Sequence, residues 1–383
     1  MSHHAYLDKL LNGVQVKYTP LSELAENLDS MRKPITSGLR ESGTIPYYGA
    51  SGIVDYVKDY IFDGDFLLVS EDGANLIARN TPIAFSASGK VWVNNHAHVL
   101  KFNTHVERRF VEIFLNSIDL SPYISGAAQP KLNKKNLNSI QVPIPCPENP
   151  EKSLAIQAEI VRVLDAFNTS VAELTNELNM RKKQYSHYQF ELLKFTETTQ
   201  QLSIGECCEV KKGATPIKKA TPGKYPLVAT TEERQSSSEY QFDCSAVCVP
   251  LISSRGHGVA SIDRIYYQDG KFALGNILCA IIPNDSEVLS AKFLRYYLFD
   301  KKDVLLVPLM RGGANVSLTM DSLKKVKIPI PPKADQQRIV STLDKFDEFL
   351  KVLPREIELR RKQYEYYRDL LLSFPKSHSD EAA

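Results

Sequence analysis

The sequence lacks the motifs that identify most nucleotide-using and metal-dependent enzymes. It contains no Gly-x-x-x-x-Gly-Lys-Ser/Thr loop for cradling phosphates and no His-Glu-x-x-His pair for binding zinc. It also lacks the Asn/Asp-Pro-Pro-aromatic run that amino-methyltransferases use, because its Pro331-Pro332 pair follows Ile330. These absences argue against a catalytic role and predict that the chain carries no cofactor of its own.

Cysteine spacing, apolar runs and net charge exclude further classes of protein. The six cysteines do not have the spacing of a zinc site. No apolar run has the length of a membrane span, and no signal peptide is present. We therefore expect reduced thiols in a cytoplasmic protein. The formal net charge is only +2, so any binding of DNA must depend on basic residues that are placed locally.

One long segment occurs twice in the chain. When the sequence is shifted by 179 positions, Gln157–Phe195 aligns with Gln336–Phe374 without a gap. In both copies the apolar and aromatic positions recur in steps of four and three, which is the spacing of a coiled-coil seam. The alternative is an amphipathic helix that packs on its own domain. Two copies in register favour helices that pack on each other or on partner helices.

Each predicted helix is long enough to act as a strut. The predicted helices are residues 151–195 and 333–375, and the duplicated part of each alone would extend about 60 Å at a rise of 1.5 Å per residue. Pro354 departs from the pattern of the second copy. Because a proline inside a helix costs about 3 kcal/mol, we expect a kink or a split at this position.

A second repeat, at a shift of 186 positions, lies upstream of the helices. Residues 126–129 align with residues 312–315, and the leucines that follow them also coincide. Proline-rich runs, Val142–Pro145 and Ile328–Pro332, precede the two helices and are predicted to be stiff linkers, because proline cannot donate to a β ladder. The chain is therefore predicted to contain a globular domain, a proline linker and a long helix, twice over.

The sequence predicts an α+β fold for both globular parts. Short strand-like runs alternate with Gly and Asp-Gly turns, and one or two helices accompany them. The predicted boundaries are an N-terminal segment 1–18, a first α+β domain 19–145, a long helix 151–195, a second α+β domain 202–328, a long helix 333–375 and a tail 376–383.

Four Gly-rich loops carry polar groups that suit contacts with DNA. They are Tyr47–Gly52 and Gly126–Lys131 in the first domain, and Ser253–Gly258 and Arg311–Asn315 in the second. Arg, Lys, Asn, Gln and Ser side chains bind both phosphates and base edges. Any one of these loops alone would suit a plain surface turn better, and their paired occurrence in both repeats makes a binding role an equal alternative.

Together these features resemble the specificity subunits of type I restriction–modification systems. The resemblance covers nearly all 383 residues. It depends mainly on the two segments in which a proline linker leads into a helix, 143–195 and 329–374. The loop Ile45–Gly52 and the run Asp63–Asn75 are also typical of the target recognition domains of that family.

The resemblance implies both a fold and a function. Two α+β target recognition domains would be separated by two long helices, the family's conserved regions, packed as an antiparallel coiled coil with an internal pseudo-twofold repeat. Each domain would read one half of a bipartite DNA sequence. The helices would fix the unread gap and dock two modification (methyltransferase) subunits, which carry S-adenosylmethionine, and restriction subunits that cleave DNA using ATP can join them. The specificity subunit itself would catalyse nothing.

We expect the DNA-contacting residues to lie on the Gly-rich loops and where the two domains diverge. Motifs that are shared by family members with different targets should not choose bases, so Tyr47–Gly52 and Glu71–Asn75 are expected to supply loop architecture or backbone contacts. The candidates in the first domain are Tyr48, Ser51, Arg79, His96, His98, Gln129, Lys131 and Lys134. The candidates in the second are Lys211, Lys212, Thr215, Ser254, Arg255, His257, Arg264, Arg311 and Asn315.

The seam of the helices supplies the candidate contacts with other subunits. Arg181 and Arg360 occupy seam positions, where each either pairs with a carboxylate one turn earlier, Glu177 or Glu356, or faces a partner. The full candidate set is Phe167, Arg181, Tyr185, Tyr188, Phe346, Arg360, Tyr364 and Tyr367.

Two other functions remain open from the residues alone. The carboxylates between Asp63 and Asp72 could hold magnesium in a stand-alone nuclease, although acidic turn residues explain them as well. A protein-binding scaffold without a role in reading DNA would also use the duplicated helices. Cleavage of DNA by the purified chain would favour the nuclease.

Overall fold

The chain forms two compact units. The computed structural model describes residues 14–126, 129–231, 235–254, 262–312 and 315–373. Unit 1 comprises the described residues up to Leu174 together with those from Glu356 onward, and unit 2 comprises Thr175–Arg355. Most of the predicted N-terminal segment and the predicted tail lie outside the described residues.

Unit 1 contains an α+β domain, as predicted. Its elements are β1 (Val16–Pro20), α1 (Leu21–Leu24), β2 (Glu26–Asn27), β3 (Ser42–Gly49), β4 (Gly52–Val57), β5 (Phe62–Ser70), α2 (Asn75–Ala78), β6 (Ala84–Val93), β7 (Ala97–Lys101), α3 (His105–Ser117), α4 (Lys134–Asn138) and β8 (Gln141–Pro145). Six strands form one sheet in the order β2-β7-β5-β6-β3-β4. Its neighbours are antiparallel, except that β3 and β6 run parallel.

Helix α3 covers one face of this sheet. It begins with a capping box, in which Glu107 N donates to Thr104 Oγ1 (3.1 Å) and Thr104 N donates to Glu107 Oε2 (2.9 Å). Its apolar face, including Phe110 and Leu115, is buried in one core with Leu67 of β5. Each fully buried side chain of this kind contributes about 2 kcal/mol, so this contact fixes the helix on the sheet.

Helix α5 (Pro150–Leu192) is the first of the two predicted long helices. Asn149 caps it, because its Oδ1 accepts a hydrogen bond from Lys152 N (3.0 Å). Its first turns enter the core of unit 1, where Ile160 and Leu164 are fully buried. The helix therefore packs both on its own domain, at this end, and on the other long helix. Packing on its own domain is the alternative that the sequence had left open.

Unit 2 repeats the architecture with different sequences. Its elements are β9 (Gln201–Ser203), α6 (Ile204–Cys207), β10 (Cys208–Lys212), β11 (Tyr225–Val228), β12 (Gln235–Ser237), β13 (Phe242–Asp243), β14 (Ala246–Pro250), β15 (Ile252–Ser254), β16 (Tyr266–Gln268), β17 (Lys271–Leu274), β18 (Leu278–Pro283), α7 (Ala291–Leu305), β19 (Asn315–Ser317), α8 (Met320–Lys324), β20 (Lys327–Pro329) and α9 (Lys333–Leu372).

The strand order shows that the two domains share one topology. Unit 2 has the sheets β10-β18-β14-β16 and β12-β11-β17-β13. They reproduce the order of unit 1 if β13 and β14 together replace β5, and β16 and β17 together replace β6. The one parallel pair of unit 1, β3 with β6, corresponds to the parallel pair β11 with β17. The divergent sequences therefore encode the same fold.

The proline-rich runs are strands, so their prediction as plain linkers was wrong. β8 pairs antiparallel with β1, and β20 pairs with β9. Pro143 and Pro145 occupy alternate positions of β8, so both missing N–H groups lie on the same edge of a two-stranded ribbon. A proline is tolerated on an edge that has no further strand to bond. Each domain thus begins and ends at the same ribbon.

The two long helices pack against each other through their aromatic seam positions. In unit 1, Phe167 stacks on Tyr367 with ring centroids 5.1 Å apart. In unit 2, Phe346 contacts Tyr188 (5.4 Å), and Arg181 lies over Phe349 (5.3 Å). The partner number falls as the residue number rises, so the helices are antiparallel.

Helix α9 is not split at Pro354. The helix includes this residue and continues from Lys333 to Leu372, so the part of the prediction that allowed a split was wrong. None of the helices that the structure describes is long and apolar enough to cross a membrane.

Candidate nucleic-acid interface

The predicted Gly-rich loops close in the same way in both units. In unit 1, Ser125 and Lys131 exchange two backbone hydrogen bonds, both 2.8 Å long. In unit 2, Arg311 and Ser317 do the same at 2.9 and 2.7 Å. Both pairs are related by the predicted shift of 186 positions. The repeat thus extends to individual hydrogen bonds and makes these two loops structural equivalents.

Each loop is attached to the end of a central strand. Leu132 N donates to Glu71 O directly after β5, and Leu318 N donates to Leu251 O directly after β14; both bonds measure 2.8 Å. The loop that follows the strand is therefore held beside the Gly-rich loop in each unit. In this way the fold brings together two segments that are about 60 residues apart in sequence, which no local pattern of residues shows.

In unit 1, a group of charged residues secures this junction. The Glu71 carboxylate contacts Arg32 Nη1 at 2.5 Å and Lys131 Nζ at 3.1 Å. Burial would raise the pKa of Glu71, but the hydrogen bonds from Arg32 and Lys131, with nearby positive charge, hold it below its usual value. Lys131, a predicted DNA contact, is therefore anchored at the rim of the junction, with half of its side chain exposed.

His98 is fully buried, which argues against its prediction as a base-reading residue. Its Nδ1 lies 2.6 Å from Asp29 Oδ2 and its Nε2 lies 2.7 Å from Leu132 O. Burial would raise the pKa of Asp29, but the hydrogen bond and charge of His98 hold it below its usual value. With both ring nitrogens facing acceptors, the imidazole joins β7 to the Gly-rich loop.

The positions of the carboxylates in this region argue against the predicted nuclease site. Asp29, Glu71 and His98 have ligand atoms within 4.8 Å of one another, but Arg32 and Lys131 already balance the charge of Glu71. Asp63 lies eight positions before Glu71, near the opposite end of β5, so the two carboxylates are about 26 Å apart along an extended strand. The predicted cluster is thus dispersed along β5.

Arg79 has a structural role, which argues against its prediction as a base reader. Its guanidinium donates to Ile118 O (2.5 Å) and Asn116 O (3.4 Å) at the end of α3. These carbonyls have no partners within the helix, so the arginine caps it. Its backbone is left-handed, with φ at +54°, which an arginine rarely adopts.

The small-residue turn between β3 and β4 is part of the scaffold. The Ser70 hydroxyl donates to Ala50 O, and Asn94 N donates to Tyr48 O (3.0 Å). Tyr48 packs on Phe85 with ring centroids 6.0 Å apart. Only Ser51, at the tip, is exposed. This arrangement supports the interpretation of the turn as loop architecture.

The other candidates of unit 1 lie near this junction on the surface. His96 Nδ1 contacts the Asp72 carboxylate at 2.9 Å, and half of its side chain is exposed. Gln129 is exposed on the Gly-rich loop, and Lys134 is exposed at the start of α4. These three side chains are accessible to a ligand.

The candidates of unit 2 are less concentrated. Lys211 and Lys212 are exposed on β10, and Thr215 is half-buried just beyond it. Arg311 is exposed, and its guanidinium donates to Pro308 O (2.6 Å) and Met310 O (3.2 Å). Arg264 is half-buried.

The loop after β14 is described only in part. Ser254 and Asn315 pair through their backbones between β15 and β19. Arg255 and His257 lie outside the described residues.

The residues predicted to bind other subunits lie on the helix seam and contact each other. The pairing of the seam arginines is confirmed: Arg181 Nε lies 2.7 Å from Glu177 Oε1, and Arg360 Nε lies 2.9 Å from Glu356 Oε1. The remaining members pack within their own unit: Phe167 with Tyr367, Tyr185 and Tyr188 with Phe346, and Tyr364 against the core of unit 1. The seam therefore uses these side chains, although Tyr188 is still 45% exposed.

Sequence reasoning missed the residues that attach the domains to the helices. Arg109 of α3 contacts Asp165 of α5 at 2.6 Å. In unit 2, Lys292 and Tyr296 of α7 contact Asp344 of α9 at 2.6 and 2.7 Å. The two aspartates are related by the shift of 179 positions, and this identity inside the repeat was the signal that could have found them.

The chain matches a known family model twice. The model, described as the type I restriction modification DNA specificity domain, matches residues 14–181 and 196–359. The two matches coincide with the duplicated arrangement of domain and helix, and together they cover most of the chain.

Curated proteins and one solved structure are similar over nearly the whole length. A putative type I restriction enzyme specificity subunit from Haemophilus influenzae is 36% identical, over 97% of this chain and 99% of the relative. The specificity subunit of the type I restriction enzyme EcoR124I/EcoR124II from Escherichia coli is 32% identical, over 98% of both. The crystal structure of a type I restriction–modification S subunit from M. genitalium has a TM-score of 0.64 at 13% identity, covering 96% of this chain and 98% of that one, which shows a shared fold.

Proposed function

The chain belongs to the type I restriction–modification DNA specificity family, and from this we propose that each of its two domains reads one half of a bipartite DNA sequence. The observation that carries the proposal is the pair of domains with one topology and different loops, joined to equivalent positions of a duplicated helix. Two DNA half-sites that differ in sequence and lie a fixed distance apart require two different recognition domains, held at a fixed distance by the duplicated helices. The chain acts as a specificity subunit and leaves catalysis to its partners.

The side chains proposed to contact DNA are those that the fold leaves accessible beside the two loop junctions. In unit 1 they are Ser51, His96, Gln129, Lys131 and Lys134. In unit 2 they are Lys212, Thr215, Arg264 and Arg311, with Arg255 and His257 retained from the sequence. Amide, guanidinium and imidazole groups discriminate base edges, whereas ammonium groups mainly position the DNA backbone.

We propose that the helices dock two methyltransferase subunits, through their outward faces instead of the seam. On the long helices, the apolar side chains outside the seam contacts that are about half exposed or more are Leu359 and Tyr366 in unit 1, and Met180, Phe190 and Val352 in unit 2. Exposed apolar groups also occur elsewhere in both units, so the docking surface is proposed from the place of these side chains on the duplicated helices. Restriction subunits join the same assembly through these partners.

Mapping of methylated sites tests the proposed function. The chain would be expressed with its methyltransferase subunit in a host that lacks DNA methylation, and N6-methyladenine would then be located by sequencing. We expect one split motif with a fixed unread gap, which is absent when this chain is omitted. If the methyltransferase is active with another specificity subunit but produces no new motif with this one, the chain does not read DNA.

Co-purification tests the docking surface separately. Val352→Glu with Leu359→Glu should abolish recovery of the methyltransferase subunit with the chain. Val304→Glu is the matched control, because Val304 is 75% exposed and belongs to α7 and not to a long helix. Equal recovery with both variants would place the docking surface elsewhere.

A further inference from the structure

We propose that a lysine-rich loop makes unit 2 the phosphate-binding anchor of the chain, holding the DNA backbone without regard to sequence. The lysine surface consists of Lys212, Lys218, Lys219 and Lys224. This inference rests on the proposed function, because it assigns to one unit the larger part of the contact with duplex DNA.

The charge of this segment is of one sign. No Asp or Glu occurs between residues 210 and 231. All four lysines are exposed, and none of them forms an ion pair with another residue that the structure describes. The neighbouring Lys211, in contrast, pairs with Glu209 at 2.8 Å. Within the described part of the chain, no carboxylate balances these four ammonium groups, which leaves them available to an external anion.

Close backbone contacts at both ends hold the loop in place. A Cβ on Gly213 would lie 2.1 Å from Gly275 O, and one on Gly223 would lie 2.4 Å from Ser238 Cα. Between these points, Thr215 N donates to Leu274 O at 3.0 Å. Only glycine permits such approaches. Because its backbone is already fixed, the loop would lose little further freedom on binding.

Polar and aromatic contacts connect the loop to the rest of the surface. The Gln241 side chain accepts a hydrogen bond from Ala214 N (2.8 Å) and donates one to Lys212 O (2.9 Å). Next to it, Tyr240 packs on Tyr225 with ring centroids 5.0 Å apart. Lys224 Nζ lies 5.0 Å from the Tyr225 ring centroid, so the ammonium is held over the aromatic pair.

Unit 1 has no comparable surface at the corresponding place. The segment between β2 and β3 corresponds to the lysine loop between β10 and β11 in strand order. There, Arg32 pairs with Glu71, and Arg40 pairs with Asp55 at 3.0 Å. These two cations neutralise the protein's own carboxylates, which leaves Lys33 as the one exposed cation of this segment without an ion pair among the described residues. The two units therefore differ in the charge that they offer to DNA, although they share one fold.

The chemistry of the loop favours a nucleic-acid backbone over an acidic protein. Protein interfaces have apolar centres and are depleted of lysine, whereas the side chains exposed on this loop are mainly lysine, threonine and proline. Duplex DNA carries one phosphate for about every 1.7 Å of its axis, so several separated lysines can bind at once. Lysine acts at each phosphate as a point charge that requires no fixed geometry.

The salt dependence of DNA binding tests this proposal. Each phosphate contact contributes a slope of about −0.9 to a plot of log Kobs against log salt concentration. With the assembled complex, Lys218→Gln/Lys219→Gln should make the slope shallower by about 1.8, and the variant at all four lysines by about 3.6. The methylated motif should stay the same. Lys58→Gln/Lys362→Gln is the control with equal charge change, since these lysines pair with Glu41 and Glu358 at 2.9 and 2.7 Å.

The possible outcomes separate this proposal from the proposed function. An unchanged slope in the quadruple variant overturns the proposal, and so does an altered methylation motif. Loss of the methyltransferase subunit at size-exclusion chromatography also overturns it, because the lysines would then bind an acidic protein partner and not DNA. The slope is also measured on a random duplex. If the wild-type complex produces no specific methylation, the proposed function fails, while the slope on random DNA still decides whether the lysine surface binds phosphates.

Discussion

Phe167 of α5 stacks on Tyr367 of α9, and the same contact recurs with the helices exchanged. In the repeat of 179 positions, Phe346 is the equivalent of Phe167, and Tyr188 is the equivalent of Tyr367. Phe346 and Tyr188 contact each other in unit 2, as Phe167 and Tyr367 do in unit 1. Each helix therefore supplies a phenylalanine to one unit and a tyrosine to the other. A repeated sequence that packs antiparallel on itself produces this exchange, because each copy meets the other in reverse.

This contact should contribute measurably to stability. Phe167→Ala and Tyr367→Ala should each lower the free energy of unfolding by about 2 kcal/mol, less than for fully buried aromatic residues. The double variant should reveal a coupling of about 1 kcal/mol between the rings. Denaturant titration measures these quantities, with Val304→Ala as the exposed control. Strictly additive losses would show that the rings do not interact.

The ion pair between Arg109 and Asp165 should attach the first domain to its helix. Asp165→Asn should lower the free energy of unfolding by about 1 kcal/mol, since the Arg109 guanidinium lies in a partly buried site and would lose a charged partner. Glu358→Gln breaks an exposed pair with Lys362 and should lower the free energy of unfolding by much less than Asp165→Asn does. Similar losses in both variants would contradict this role for Asp165.

The charged junction of unit 1 predicts sensitivity to acid. The pKa values of Asp29 and Glu71 are below their usual values in the folded state. Such carboxylates stabilise the fold above their unfolded pKa values, about 3.9 and 4.3, and this contribution is lost as pH falls through the lower folded values. Stability should therefore decline below about pH 4.5.

A comparison of variants checks this assignment. Asp29→Asn should be less stable than wild type at pH 7, by about 2 kcal/mol, because it removes the partner of the buried His98. It should also lose less stability on acidification. Asp63→Asn, on the exposed face of β5, is the control. If Asp29→Asn kept the full decline of the wild type in acid, Asp29 would not contribute to it.

Two substitutions of Arg79 should separate capping from backbone strain. Arg79→Ala loses the hydrogen bonds to the end of α3 and keeps a side chain at a φ of +54°. Arg79→Gly also loses the bonds but relieves the left-handed backbone, so it should be more stable than the alanine variant by about 1 kcal/mol. Thermal unfolding measures the difference. Because the arginine has a structural role, both variants should methylate the same motif, and a changed motif would identify it as a base reader.

The parts of the structure that could be predicted from the sequence are those encoded by its duplicated segments. The two long helices, their seam and the pairing of Arg181 and Arg360 with the preceding glutamates follow from repetition and from heptad spacing. The equivalence of the loops at Gly126 and Gly312 was likewise visible as a shift of 186 positions.

Features that depend on contacts between distant residues could not be predicted in this way. His98 was chosen as a polar residue in a divergent region, but Asp29 and Leu132, which bury it, are 69 and 34 positions away. The prolines of β8 were taken to exclude pairing with another strand. A proline is tolerated in a strand when no further strand lies on the side of its missing N–H, and the sequence does not show whether one does. Which candidates contact DNA stays a prediction.

The ribbons β1–β8 and β9–β20 have a consequence for how new specificities could arise. Val16 faces Pro145, and Gln201 faces Pro329, so the chain enters and leaves each domain at neighbouring points. The segment between these points, here called the cassette, is joined by its backbone to the rest of the chain only through the ribbon. A gene segment that encodes a foreign cassette with the same ends would need to match only the ribbon and the adjoining turns of the helix, and recombination could then exchange one half of the target while leaving the other half intact.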